Sequence, residues 1–314
     1  MKTPLLTVIA IAGLDRSRAG RLLAALAAQT ISSDIEAIII DLASEGSAEI
    51  IPPDGVRTLI LRRPGSDDWG AARADGVRQS QAPLVAFLED HTVPTTRWAE
   101  EVVRAFAHGG EDCTAVCYAF TNGSPDTYFY RSVFMTEYGA LAHPLPEGPA
   151  PTSTANNIAY RRDALLALGE RMEALLEMDF FLQRFMGRDF RVLAAPTALL
   201  AHETNTGLRD LMVGHFEYAR LFANRRLSHE GWSLPKRIVG TIAAPVLVPP
   251  LRLKRLIFAL RGRPLMRDAL AGLPIILLLY MCGALGEAWG LLRGGELSAS
   301  RVIWLELTAP RAGK

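Results

Sequence analysis

The chain has 314 residues, enough for one large domain or one domain with an appendage, and a formal net charge of +1, which gives no ground for nucleic acid as a partner. Hydrophobic residues make up 49% at a mean hydropathy of +0.15, high for a purely soluble protein, and the excess lies in the last 80 residues. Cys113, Cys117 and Cys282 form neither a metal-ligand pattern nor a disulfide framework and fit a reducing compartment.

The N-terminal run TPLLTVIAIAG is short, meets the charged DRSRAGR and lacks a small-residue cleavage site, so it reads as a first strand rather than a signal peptide. LLTVIAIA (5–12) is apolar on both faces, as a buried strand requires. A loop and an amphipathic helix follow, with Leu22, Leu23, Leu26 and Ala27 on one stripe. IEAIIIDLASEG is a second buried strand ending at Asp41, and VRTLILR (56–62) a third. DWGAARADGVRQSQ supplies another helix before a fourth strand, LVAFLED. This order predicts an α/β sheet covered by helices, in which ligands sit beyond the carboxyl ends of the strands. Asp41 and the Glu89-Asp90-His91 cluster fall at two such ends. Three polar groups at the end of a buried run admit a solvated strand end as the plain alternative.

Further on, RWAEEVVRAFAHG reads as a helix and CTAVCYAF as a fifth strand. Residues 121–155 read as a loop-rich stretch able to shape an acceptor site. STANNIAYRRDALLALG pairs a short strand with a helix, MEALLEMDFFLQRFMGRDF is helical, and RVLAAPTALLAHE is a strand pair ending in His202-Glu203. LRDLMVGHFEYARLFANRRLSHEG is a long amphipathic helix.

The remainder changes character, which places a domain boundary at 1–234 and 235–314. Residues 238–251 are apolar but short and proline-interrupted, as in an interfacial or re-entrant segment. Residues 251–267 carry six basic residues among aliphatic ones and suit an anionic membrane surface. Residues 269–291 have the length to cross a bilayer, despite Glu287; a buried helical hairpin is the alternative. The basic stretch predicts a cytoplasmic membrane protein with its main domain on the cytoplasmic side.

Taken in order, TVIAIAGLDRSRAGRLLAALAAQT, IEAIIIDLASEG, GAARADG, LVAFLEDHTVP, TANNIAYRRDALLALG, LLEMDFFLQRFMGRDFRV and APTALLAHE resemble the successive motifs of family 2 glycosyltransferases over about residues 5–205. The resemblance implies a GT-A fold, a Rossmann-like mixed α/β sheet flanked by helices that binds nucleotide sugars, here with C-terminal membrane-associated helices. It implies an inverting transfer of a sugar from a nucleotide-sugar donor to a glycan or lipid-linked acceptor, with Mn²⁺ or Mg²⁺ as cofactor.

By the same resemblance, Glu89 and His91 take the outer positions of an Asp-x-Asp motif with Asp90 between. Ala12, Asp41, Arg73, Glu89 and Asp90 are donor-binding, and Asp90, His91 and His202 metal ligands. Which of the three clustered residues touches metal stays open, because two aspartates are the usual pattern. A carboxylate with imidazole suits Mn²⁺ at least as well as Mg²⁺. The family's acidic pair is split here as Glu177-Met178-Asp179, with Asp179 the implied base and Glu177 the second candidate. On one continuous helix their carboxylates would point about 200° apart. These departures keep open a catalytically silent, membrane-bound binding or assembly subunit, and a nucleotidyltransferase on a similar sheet.

Overall fold

The computed structural model describes residues 3–154, 156–187, 190–204, 206–294, 298–303 and 305. The chain divides into two compact units, residues 1–123 with 141–203, and residues 124–140 with 204–314. The boundary expected at residue 234 cuts within the second unit, between two of its helices.

The first unit is built on a nine-stranded mixed sheet flanked by helices. Its strands are β1 (Leu6–Ala12), β2 (Ile35–Asp41), β3 (Arg57–Arg62), β4 (Leu84–Glu89), β5 (Thr92–Pro94), β6 (Ala115–Asn122), β7 (Gly148–Pro149), β8 (Ile158–Arg161) and β9 (Val192–His202). They lie in the order β3-β2-β1-β4-β8-β6-β9-β5, with β7 beside β9. β3, β2, β1 and β4 are parallel, and β8 enters antiparallel to both β4 and β6. The Val/Ile-rich runs of β1 and β2 are buried on both faces, as interior parallel strands demand.

Helices α1 (Arg16–Ala27), α2 (Trp69–Gln79) and α3 (Trp98–Gly109) follow β1, β3 and β5. Asp15 caps α1 by accepting from the Ser17 amide, and Asp68 caps α2 by accepting from the Ala71 amide at 2.8 Å. The two glycines of GAARADG are close-approach positions. A Cβ on Gly76 would lie 2.7 Å from Ile9 of β1, and one on Gly70 would lie 2.0 Å from the Glu173 carbonyl oxygen.

Several segments depart from the sequence expectation, among them β5, which was not expected as a strand. Residues 121–155 contain a ten-residue helix, α4 (Tyr128–Glu137), which belongs to the second unit. The expected strand pair before His202 is the single strand β9, with a register irregularity opposite Tyr118/Ala119 that lets β9 carry Pro196. After α5 (Arg162–Leu166), the expected single acidic helix is two, α6 (Met172–Leu176) and α7 (Asp179–Met186), broken where Met178 turns extended at φ −144° and ψ 125°. Glu177 and Asp179 therefore do not share one helix, and the opposed directions expected of them do not apply. Arg188 and Asp189, at the end of that expected helix, lie outside the described residues.

In the second unit α4 is joined by α8 (Leu208–Glu230), α9 (Leu234–Ala259), α10 (Met266–Ala271), α11 (Leu273–Arg293) and α12 (Ser298–Ile303). Residues 238–251, expected as a separate interfacial segment, are the middle of α9, a helix that contains Pro245, Pro249 and Pro250. Helix α11 is the one helix among the described residues long and apolar enough to cross a membrane, and half of its most apolar stretch is buried in the protein.

Candidate active site

Strand β1 has β2 on one side and β4 on the other, so the crossovers diverge there and open a crevice at the carboxyl ends. Ala12, Asp41 and Glu89 are the last residues of those three strands, with Ala12 in register with Asp41 and Ile11 with Glu89.

Beyond Glu89 the chain turns into β5, whose antiparallel pairing with β9 sets Thr92 opposite His202. This pairing gathers one carboxylate and two imidazoles. The His91 and His202 Nε2 atoms are 3.1 Å apart, and Glu89 Oε2 lies 3.2 Å from His202 Nε2 and 3.7 Å from His91 Nε2. One ligand atom from each residue lies within 4.8 Å of the others. The shortest of these separations match neighbouring ligands around a single ion with bonds of about 2.1 Å, which place adjacent ligands about 3 Å apart. Two imidazoles and one carboxylate are a donor set able to hold a divalent cation.

Glu89 is held from the opposite side by two asparagines. Asn156 Nδ2 donates to Oε1 at 2.7 Å and Asn157 Nδ2 to Oε2 at 2.6 Å, while Asn157 Oδ1 accepts from the Glu89 amide at 3.1 Å. Burial pushes the Glu89 carboxyl up, but attraction from His91 and the contacts of His202 and Asn157 outweigh it and hold the group well below its usual range.

Asp90, expected both on the donor and on the metal, faces elsewhere. Its Oδ1 lies 2.5 Å from Arg18 Nη2 and 3.2 Å from His91 Nδ1, and Arg18 also touches that ring nitrogen. Asp90 therefore buttresses His91 from behind, while Glu89 takes the position beside the two imidazoles.

Asp41 is likewise engaged. Arg16 donates to both of its oxygens, at 2.6 and 3.0 Å, and the Ala43 amide donates to Oδ1 at 3.1 Å. Arg21 pairs with Glu203 at 2.9 Å, so Arg16, Arg18 and Arg21 each reach an acid at the strand ends.

Arg73, on α2, stacks over Trp69 and Phe87 and donates to the Leu176 carbonyl at 2.7 Å and to Asn156 Oδ1. Through Asn156 it joins the end of α6 to Glu89. Asp179 opens α7 and is buried. Tyr160 donates to its Oδ1 at 2.9 Å, and Ser153 and Gln183 donate to Oδ2. Burial raises its carboxyl above the ordinary value against those three hydrogen bonds. Glu177 sits half-buried at the break between α6 and α7.

Arg16, Arg18, Asn156, Asn157 and Tyr160 are the site residues that reading the sequence missed. The doubled asparagine of TANNIAY and the triple arginine of DRSRAGR were the available signals, but nothing in either segment names its distant partner.

The sequence model described as Glycosyl transferase family 2 matches residues 12–169, just over half of the chain. The match takes in Asp41, Arg73 and Glu89–His91 and stops before Asp179 and His202. No curated protein matches. Among solved structures, the chain resembles the mannosyltransferase PcManGT from Pyrobaculum calidifontis in complex with GDP-Man and Mn²⁺, at a TM-score of 0.56 and 15% identity over 97% of this chain and 88% of that one. It also aligns with TarS from S. aureus in complex with UDP, at a TM-score of 0.48 and 14% identity over 91% and 90% of the two chains. Fold and motif order agree with the GT-A expectation, and the chain belongs to glycosyl transferase family 2.

Proposed function

We propose that the chain is a metal-dependent inverting glycosyltransferase that moves a hexosyl or related sugar from a nucleoside-diphosphate sugar to a glycan or lipid-linked acceptor of the cell envelope, as in polysaccharide biosynthesis. The observation that carries this reading is the convergence of Glu89, His91 and His202 beside the crevice at the end of β1. The structural neighbour bound to GDP-Man and Mn²⁺ supports the donor class and the metal.

Glu89, His91 and His202 would hold the divalent cation, and Lewis-acid stabilisation of the diphosphate leaving group is the chemistry it supplies when bound. Asn156 and Asn157 fix the Glu89 carboxylate, and Asp90 with Arg18 fixes the His91 ring, so little reorganisation remains for the chemical step. Ala12 and Asp41 border the nucleotide. Asp179 takes the proton of the acceptor hydroxyl. A carboxyl raised by burial is the stronger base for that step. Glu177, half-buried at the helix break, is the alternative base. The sheet-bearing unit, residues 1–123 with 141–203, works on the cytoplasmic side of the cytoplasmic membrane, with the C-terminal helices from residue 235 on as the membrane-associated region and the apolar α11 as support.

A second reading, a catalytically silent binding or assembly subunit, draws on the occupied oxygens of Asp41 and Asp179. One experiment separates the two: nucleoside-diphosphate release from a panel of nucleotide sugars, with and without Mn²⁺, followed by NMR of the anomeric configuration in the product. Metal-dependent release with inversion supports transfer. Metal-dependent nucleotide binding without release leaves the silent subunit.

A further inference from the structure

We propose that the α9–α11 hairpin docks in the plane of an anionic lipid surface and does not cross the bilayer. This deepens the membrane attachment proposed above and rests on it; the transfer reaction is independent of it.

The exposed apolar residues of α11 are Leu277, Leu278, Met281, Leu285, Trp289 and Leu292. At 100° per residue they fall within an arc of about 120°. Much of the rest of the circumference is buried in the protein. A spanning helix at this site would also carry its covering neighbours into hydrocarbon, so the nature of those neighbours decides the question.

Along the C-terminal two-thirds of α11 one of those neighbours is α8. Gly286 and Gly290 make the close approach: a Cβ on Gly286 would lie 2.0 Å from the Phe216 carbonyl oxygen, and one on Gly290 2.4 Å from that of Arg220. Leu211 and Leu279 share a core, and Arg226 pairs with Glu287 at 2.8 Å, so α8 accompanies α11 over several turns. Yet α8 is a polar helix containing Asp210, Glu217, Arg220, Arg225, Arg226 and Glu230. Charged side chains inside a membrane are costly, and this helix would bring many at once. Lying flat, the pair keeps α8 in water and immerses only the apolar arc of α11.

Helix α9 adds to the same kind of surface. It exposes Leu234, Ile238, Val239, Ile242, Val246 and Phe258. It runs back along α11, since Arg237 donates to the Leu291 carbonyl at 3.1 Å while Arg252 lies over the Tyr280 ring.

Charge selects the occupant. Residues 231–294 hold nine basic and two acidic side chains. Lys236, Arg237 and Arg293 lie at one end of the hairpin, and Lys254, Arg255, Arg261 and Arg267 at the other. A crossing would put one of these groups on the far side of the membrane, against the usual retention of positive charge on one side. In-plane docking gives both ends the same anionic headgroups, with apolar residues between them and Trp289 at the interface. A second copy of the chain would bring a like-charged rim to the same patch.

The test uses the full chain. Cys113 and Cys117 are buried, so a Cys282→Ala background leaves no readily accessible native thiol. Asp268→Cys, in α10 just before α11, or Arg293→Cys, at its C-terminal end, is then added, and sealed inverted vesicles from expressing cells are treated with a membrane-impermeant maleimide. Both positions should label equally before detergent. One labelled and one protected until detergent is added would establish a crossing and overturn the proposal.

In parallel, purified protein is floated with phosphatidylcholine vesicles with or without about 30 mol% phosphatidylglycerol. Binding should favour the anionic vesicles, and Lys254→Glu with Arg255→Glu should weaken it ~10-fold or more with circular dichroism unchanged. Failure to bind either vesicle, with a stable dimer in solution, would give the surface to a second copy and remove the membrane attachment as well.

Discussion

His91 and His202 lie 111 residues apart in the chain, yet their Nε2 atoms stand 3.1 Å apart, with the rings crossed at 69°. Two ring lone pairs at that distance repel unless a proton or a cation lies between them. With Glu89 Oε2 3.2 Å from His202, a cation held between the two rings, as proposed above, would also meet a carboxylate oxygen.

Removal of either imidazole should therefore show in metal binding before it shows in folding. His91→Ala and His202→Ala are each expected to weaken Mn²⁺ binding by no less than the ~10–100-fold that loss of an outer-shell partner costs. Asp90→Ala, which removes the buttress and leaves all three ligand atoms, should fall within that range. Titration of free Mn²⁺ by electron paramagnetic resonance measures all three. Unchanged affinity in both histidine variants would remove the metal assignment.

Asp179→Asn keeps the shape of the side chain and removes its basicity. Turnover should fall about 10²–10⁴-fold while donor affinity changes little. Glu177→Gln is the comparison and should do much less. The reverse pattern would move the base to Glu177, and an effect of neither would favour the silent subunit.

The pH profile carries a sign. Burial raises the Asp179 carboxyl above 3.8, so it stays protonated to a higher pH, and a base is available only above that point. The acid limb of kcat/KM should lie above the ordinary aspartate range. Tyr160→Phe deletes a hydrogen bond that holds the value down, and the limb should move further up. The linked stability has the same sign: the folded state holds this proton more tightly than the unfolded state. That contribution is complete below the unfolded value and is lost as pH rises through the raised one. A downward move of the limb in Tyr160→Phe would exclude Asp179 as the titrating base.

Gly70→Ala tests the seat of the acidic segment. Its Cβ would lie 2.0 Å from the Glu173 carbonyl oxygen, a backbone atom that cannot swing aside. Overpacking of this kind costs about 1–3 kcal/mol. Chemical denaturation should show that loss, and α6 should shift away from Arg73, lowering turnover as well. A variant with wild-type stability and rate would mean that α6 and α7 are not held through α2.

The strand–helix order of residues 5–90, the acids at the strand ends and the apolar C-terminal run were legible in the sequence. Interior parallel strands need unbroken runs of Val, Ile and Leu, and LLTVIAIA and IEAIIID supply them; amphipathic helices need their stripe, and α1 has it. Those are local requirements, met by residues close together in the chain. Partner choice is not local. Pairing of β5 with β9 makes Glu89, rather than Asp90, the companion of the two histidines. The burial of Arg18 beside Asp90 turns that acid to the rear of His91. The extended backbone at Met178 ends the helix that Glu177 and Asp179 would have shared. The sequence of α11 reads as a bilayer span because length and hydropathy describe a helix alone. Its charged companion α8 enters only through packing.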